Sequence, residues 1–331
     1  MEPTAPSVPV ALRLTAGMRL AFVGQGTFFE ACALPDGVVG GWQTSFVEFR
    51  KDGDAARLLQ RLRALDPDVI VVFRPEVVPD GLFGELRATV VGWLTEPLPR
   101  AIGPGGGVRH EDLERRLWEL GQIDAANVDR VVAFDPHIVG SAEGVLSVWR
   151  SLPLPVSDRF FLGPGEIRRR ARPQALFVGR STPHRERLLS PSKHNHEVLH
   201  LAFGVDAAML QAQMREHDVA INLHNEAYAS FENRVCLHLA AGHIVLSEPL
   251  SPLHGLEPGI DFVEIATPGQ LEEALVALKL APAVWHRVRM RGRRKAEGYR
   301  ASRVYPRLVA DLLADVAAFG SARGGSLTPA G

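Results

Sequence analysis

Among its 331 residues this sequence holds only two cysteines, Cys32 and Cys236, too few and too far apart for a disulfide framework or a thiolate metal site. A reducing compartment suits that usage. The sequence also lacks any run of eighteen apolar residues, and no basic segment leads into an apolar one at its start. Those absences set aside membrane-spanning and secretory readings, and a cytoplasmic protein is expected. An excess of one charge is missing too. The 37 Lys and Arg stand against 38 Asp and Glu, a balance that excludes a nucleic-acid-coating protein, so no nucleic-acid partner is expected. What is present is an ordinary globular composition. Disorder is expected only at the Pro-, Gly- and Ser-rich ends, Met1 to Val10 and Ser321 to Gly331.

The length exceeds what one hydrophobic core usually supports, so two domains of about 150 residues each are expected. The first half alternates short apolar strands with amphipathic helices. Arg19 to Val23 is a strand running into Gly24-Gln25-Gly26, and Asp54 opens a helix with Leu58, Leu62 and Leu65 on one face. Val69 to Phe73, Thr89 to Leu94 and Arg130 to Phe134 are further strands, with a helix over His110 to Leu120. Gly103 to Gly107 is a loop. Continuous apolar strands between such helices predict a parallel sheet covered on both faces. The segment from Ser151 to Pro173 contains four prolines and the run Arg168-Arg169-Arg170, which marks a linker. The pattern then restarts, with strands at Ala175 to Val178, Val219 to Leu223 and Ile244 to Ser247. Helices are predicted from Pro183, over Asp206 to Glu216 and Phe231 to Ala241, from Thr267-Pro268, and from about Arg303 to Ala317. The predicted organisation is a flexible start at 1–17, a first domain at 18–160, a linker at 161–173, a second domain at 174–300, a C-terminal helix at 301–318 and a tail at 319–331. The fold class is α/β, with two Rossmann-like doubly wound domains facing each other across a crevice.

One stretch is more specific. Ala175-Leu-Phe-Val-Gly-Arg-Ser-Thr-Pro-His-Arg-Glu-Arg-Leu-Leu189 resembles the strand-loop-helix that opens the nucleotide-binding domain of GT-B glycosyltransferases. The branch it is most similar to is the family-1/family-4-like one that includes spore-maturation-type proteins. Ile221-Asn-Leu-His224, Phe231-Glu-Asn-Arg-Val235, Leu239-Ala-Ala-Gly242 and Gly255-Leu-Glu-Pro-Gly259 follow in that branch's order. The resemblance spans roughly Gln174 to Leu278 and implies a GT-B transferase without metal or other cofactor, using a nucleoside-diphosphate sugar as co-substrate. It implies donor contacts from Gly179, Arg180, Arg185, His224, Glu232, Asn233 and Arg234, because a leaving diphosphate needs fixed N–H donors and arginines. Counting back from Gly242, Leu237 and Ala229 stand where related retaining enzymes carry two glutamates.

On the first domain the residues point to an acceptor. Glu96 follows a strand and could remove a proton from an acceptor hydroxyl, and His137 is a second candidate base. Gly24, Gln25, Gly26 and Arg100 would line the acceptor side, Gly24 and Gly26 by allowing close backbone approach. The acceptor is expected to be a small molecule or a glycan. Asp52-Gly-Asp54 and Asp66-Pro-Asp68 read as a helix cap and a turn rather than metal ligands, and His194-Asn195-His196 as loop polarity. Cys236 reads as packing. The basic tract from Arg287 to Lys295 reads as a solvated helix face that could also touch an anionic membrane surface. Alternative activities are a sugar-nucleotide epimerase of the same fold, which needs no acceptor, and a non-catalytic sugar-nucleotide- or glycan-binding subunit.

Overall fold

The computed structural model describes residues 17–99, 112–142, 145–163, 173–202 and 205–323. Arg100, the Gly103–Gly107 loop, the Arg168–Arg170 run, the residues before 17 and those after 323 lie outside them.

The first sheet contains β1 (Arg19–Gly24), β2 (Gly37–Val39), β3 (Trp42–Glu48), β4 (Val69–Phe73), β5 (Thr89–Leu94), β6 (Arg130–Ala133) and β7 (Arg150–Ser151), in the order β2-β3-β1-β4-β5-β6-β7. Every pairing is parallel except the β2–β3 hairpin. The continuous apolar run of β4 is buried at every position because helices cover both faces. Those helices are α1 (Gly26–Phe29), α2 (Ala55–Leu65), α3 (Asp112–Leu120) and α4 (His137–Ala142). The side chain of Asp54 caps α2 by accepting from the Arg57 amide, and Asp66 ends it in a left-handed conformation. Asp68 accepts from the Arg19 amide. Both acidic triplets therefore serve helix ends and strand entry.

The second sheet is wholly parallel, with β8 (Ala175–Val178), β9 (Val198–Leu201), β10 (Val219–Asn222), β11 (Ile244–Ser247) and β12 (Val263–Glu264) in the order β12-β11-β10-β8-β9. Around it lie α5 (Pro183–Asn195), α6 (Ala207–Glu216), α7 (Asn233–Ala240), α8 (Pro268–Leu280) and α9 (Pro282–Ala296), and α10 (Ala301–Phe319) closes the described chain. Thr182, Asp206 and Thr267 cap α5, α6 and α8 with their side chains, two of them ahead of a proline at the first helical position. In each sheet the strand order reverses beside the first strand, between β1 and β4 and between β8 and β10. Those switch points open crevices at the carboxyl ends of the strands.

Two local expectations are corrected. The helix expected from Phe231 begins at Asn233, because Phe231 is buried against the His254 ring and the Ser230 hydroxyl bonds the His224 ring instead of capping. The basic tract forms most of α9; Arg287, Arg291, Arg294 and Lys295 keep the expected exposed face, while Arg289 and Arg293 turn inward. Arg289 donates to Gly242 O, Arg293 to Leu162 O and Lys295 to Gly255 O, and Arg291 pairs with Asp261. Among the described residues no helix is long and apolar enough to cross a membrane.

One apolar core runs through both halves. It joins Phe22, Phe73 and Trp93 of the first sheet to Leu176, Val235 and Leu239 of the second by way of Val156, Phe160 and Tyr305. Two further clusters cover the outer faces, one around Leu58, Leu62 and Val90, the other around Leu189, Leu246 and Leu275. Residues 151–163 are built into this core. The Val156 amide donates to Tyr299 O, the Ala301 amide to Val156 O and the Leu162 amide to Ala240 O. Helix α10 returns to the first sheet, where Tyr305 sets its ring edge on Phe22 and its hydroxyl donates to Cys32 O at 2.7 Å. Arg130–Asp315 and Arg150–Asp311 ion pairs hold its far end.

Candidate functional site

At the switch point of the second sheet, β8 ends in Val178 and the chain turns at Gly179. The guanidinium groups of Arg185 and Arg234 both lie beside the Phe177 ring, their central carbons 5.5 and 5.8 Å from its centroid. A Cβ on Gly179 would stand 2.7 Å from Arg234 Nη1 and 3.2 Å from Arg185 Nη1, so only glycine leaves room for the pair. Arg234 donates to Asn222 Oδ1 (2.8 Å), Val178 O (2.6 Å) and Leu223 O (3.3 Å). Arg185 is 3% exposed and donates to Leu223 O, His224 O and Arg180 O at 3.0–3.1 Å. Its burial, with Arg234 close by, pulls its pKa down to about 10. Glu232 balances the two arginines, 3.0 Å from Arg234 Nη2 and 3.9 Å from Arg185 Nη2. Burial alone would raise the Glu232 carboxyl, but the arginines outweigh it and hold it below its usual range.

Glu232 is also the N-cap of α7, where its side chain makes no capping hydrogen bond. The first turn of α7, whose Val235 amide already donates to Glu232 O, thus sets the positive end of the helix dipole beside Arg234. The start of α5 is arranged differently. Thr182 caps it, and Pro183 has no N–H to offer. Arg180 is exposed at the mouth and donates to Asn225 Oδ1. The His224 ring is committed inward: Nε2 donates to Pro249 O, Nδ1 accepts from the Ser230 hydroxyl, and burial lowers its pKa and keeps it neutral. Its backbone amide donates to Glu248, whose other oxygen holds His184 at 2.8 Å. Asn233 reaches across to the first half, with Nδ2 2.9 Å from Cys32 Sγ.

The facing wall comes from the first sheet. Glu96 follows β5 and pairs with Arg116 at 3.2 Å. Burial raises its pKa; Arg116 and Arg74 oppose the rise, while Glu232 across the crevice adds to it. Tyr228 of the second half is pushed up to about 12, chiefly by burial, and lies within the fields of Arg116 and Asp112. The crevice therefore brings Glu96 and Arg116 together with Tyr228, Glu232 and Arg234. His137 is exposed at the start of α4, one strand further from the switch point. The Gly26 amide is already taken by Glu48 Oε2 at 2.6 Å, and Gly24 packs tightly on Phe73. Among the described residues no group of three or more His, Cys, Asp or Glu is placed to hold a metal. His196 and Asn195 bind Glu272 and tie α5 to α8.

Sequence reasoning missed Asn222, Asn225, Glu248, Arg74 and Arg116. Asn222 and Arg74 carried a usable signal, a polar residue where a wholly buried strand ends. Glu248 carried the same signal directly after β11.

No family model and no curated protein matches this sequence. Solved structures do. HepE from Anabaena in complex with UDP-glucose superposes with a TM-score of 0.54 at 12% identity, covering 90% of this chain and 100% of that one. Sucrose-phosphate synthase from Thermosynechococcus elongatus gives 0.54 at 12% identity over 91% and 99% of the two chains. AviGT4, a glycosyltransferase involved in avilamycin A biosynthesis, gives 0.54 at 12% over 91% and 98%. At such identities the likeness is one of fold, and the fold is that of the GT-B glycosyltransferases: two Rossmann-like domains, with the arginine-lined switch point of the second turned toward the first.

Proposed function

We propose that this chain is a metal-independent glycosyltransferase, moving a sugar from a nucleoside diphosphate to an acceptor held mainly by the first domain. One observation carries the reading: the uncapped start of α7 lies beside Arg234 and Gly179 at the switch point, with Glu96 on the facing wall. As the bond from the anomeric carbon to the diphosphate breaks, negative charge collects on the leaving oxygens. The α7 amides, Arg234 and the exposed Arg180 are its natural receivers, and Arg185 supports them by fixing the 223–225 backbone. Glu96 takes the proton of the attacking acceptor hydroxyl, and the rise that burial gives its pKa strengthens it as a base. His137 is the second choice. That HepE forms complexes with UDP and UDP-glucose supports a nucleotide-sugar donor on the same fold.

The test is a thermal-shift series with UDP-, GDP- and dTDP-sugars, followed by transfer assays. Stabilisation by one nucleotide family is expected, since a ligand bound only to the folded state raises apparent stability. Arg234→Met should abolish that shift, and Glu96→Gln should keep it while losing transfer. No shift with any of the three would refute the donor assignment; transfer unaffected in Glu96→Gln would move the base to His137.

A second reading, a non-catalytic sugar-nucleotide-binding subunit, rests on Leu237 and Ala229. Leu237 is buried in the shared core and Ala229 is exposed, so neither place offers a carboxylate to the crevice. It predicts the same nucleotide shift with neither transfer nor donor hydrolysis.

A further inference from the structure

A pocket of about 360 Å³ opens at the carboxyl edge of the first sheet. Three separate segments wall it: 49–53 after β3, 74–80 after β4, and the end of α3 with Trp118 and Glu119, followed by Gln122. Its volume sits at the small end of ligand-binding pockets, which run from about 300 to 1,000 Å³. Three features make it a built site rather than a surface dent. The Glu76 side chain is 9% exposed; one oxygen holds Arg74 at 2.9 Å, while Oε2 is buried with no hydrogen-bond partner among the described residues. A buried carboxylate oxygen without a donor is costly, and a guest able to donate removes that cost. Trp118 is 65% exposed at the wall and offers a wide aromatic face to whatever enters. Asp52 and Arg74, both wall residues, hold left-handed backbone at φ 60° and 63°, a conformation few non-glycine residues adopt.

The composition of the wall selects the guest. Carboxylates at Asp52, Glu76, Asp80 and Glu119 are interleaved with cations at Lys51 and Arg74. A simple cation would meet Arg74 and Lys51, and an anion would meet the carboxylates. A neutral polyhydroxylated ring both donates and accepts at each hydroxyl and lays its apolar face on an indole. Arg116 connects the pocket to the crevice, bonding Glu119 Oε2 at 3.1 Å and Glu96 Oε2 at 3.2 Å, so a single guanidinium separates the pocket wall from the proposed base.

We propose that this pocket receives a neutral sugar ring of the acceptor, which makes the acceptor a glycan rather than a lipid or an aglycone. The inference rests on the glycosyltransferase reading, and its test is separable from that reading. The labelled full-length protein is applied to a broad glycan array with UDP present, and UDP affinity is measured in parallel. Retention by a related group of neutral glycans is expected. Trp118→Ala should weaken it roughly tenfold or more, as truncating an aromatic anchor does. Glu76→Gln should weaken it as well, and both variants should keep the wild-type Kd for UDP and melt as cooperatively as wild type. Retained glycans bound equally by Trp118→Ala, or no glycan retained while UDP binds, would overturn the pocket assignment. Failure of UDP, GDP and dTDP alike to bind the wild type strikes the donor site instead.

Discussion

Replacing Gly179 with alanine probes the site with a single methyl group. The added carbon would lie 2.7 Å from Arg234 Nη1, against the 3.4 Å at which ordinary contact begins, so something must move by about 0.7 Å. Arg234 is not free to swing away, because Val178 O, Asn222 Oδ1 and Leu223 O hold three of its N–H groups. Either those bonds lengthen or the β8 end shifts. Overpacking of this kind costs about 1–3 kcal/mol, and Tm should fall by a few degrees. Displacement of the Arg234 fork should also weaken nucleotide binding, by roughly tenfold for each 1.4 kcal/mol lost from the contact. The clean assay is a double-mutant cycle. If the clash is with Arg234, Gly179→Ala should cost at least about 1 kcal/mol less in an Arg234→Met background than in wild type. Additive effects on Tm would refute the proposed contact, and so would a Gly179→Ala protein that melts and binds like wild type.

Acid should unfold the second domain through a buried histidine pair. His243 donates from Nε2 to Met214 O, and its Nδ1 lies 3.0 Å from His238 Nδ1. Burial drives its pKa down from 6.5 to about 4, so the unfolded chain takes up a proton that the folded one refuses. Stability is complete above pH 6.5 and falls as pH drops toward 4, by roughly 3 kcal/mol in total; urea titrations at pH 7.5 and 4.5 measure it, and equal midpoints would contradict the argument. Arg185→Met should lower Tm more than Arg180→Met, because it strands the buried carbonyl of His224 at about 1–3 kcal/mol and leaves Leu223 O only its longer bond from Arg234; Arg180→Met should chiefly weaken donor binding. Tyr305→Phe should cost about 1 kcal/mol by leaving Cys32 O without its hydroxyl donor, read as a lower urea midpoint at unchanged slope.

Much of this fold was legible because its strongest signals are local. The unbroken apolar run of β4, the Asp54 cap of α2 and the Thr182-Pro183 start of α5 each state their structure within a few residues. Strands β2, β3, β7, β9 and β12 escaped: four of them span only two to four residues, and the seven of β3 mix buried, half-buried and exposed positions without a clean period. The start of α7 was misplaced because Ser230 looks like a cap in sequence, and a tertiary partner, His224, claims its hydroxyl. At the site, Gly179, Arg185 and Arg234 could be picked from the family resemblance, but what each guanidinium touches could not. Arg185 proved to be spent on backbone carbonyls, and Asn233 proved to point at Cys32. The pocket beside Trp118 was invisible, since its walls come from segments that only the sheet brings together.

The core that runs unbroken through both halves bears on how this molecule could be recombined. Helix α10 belongs to the second half by sequence and to the first by packing, and residues 151–163 are bonded to both. A chimera cut between the two sheets would strip Tyr305 from Phe22 and leave Val156 without its backbone partners. The half built on the second sheet could be transplanted only if the closing helix stayed with the first-sheet host, so the smallest exchangeable unit of this chain is discontinuous in sequence.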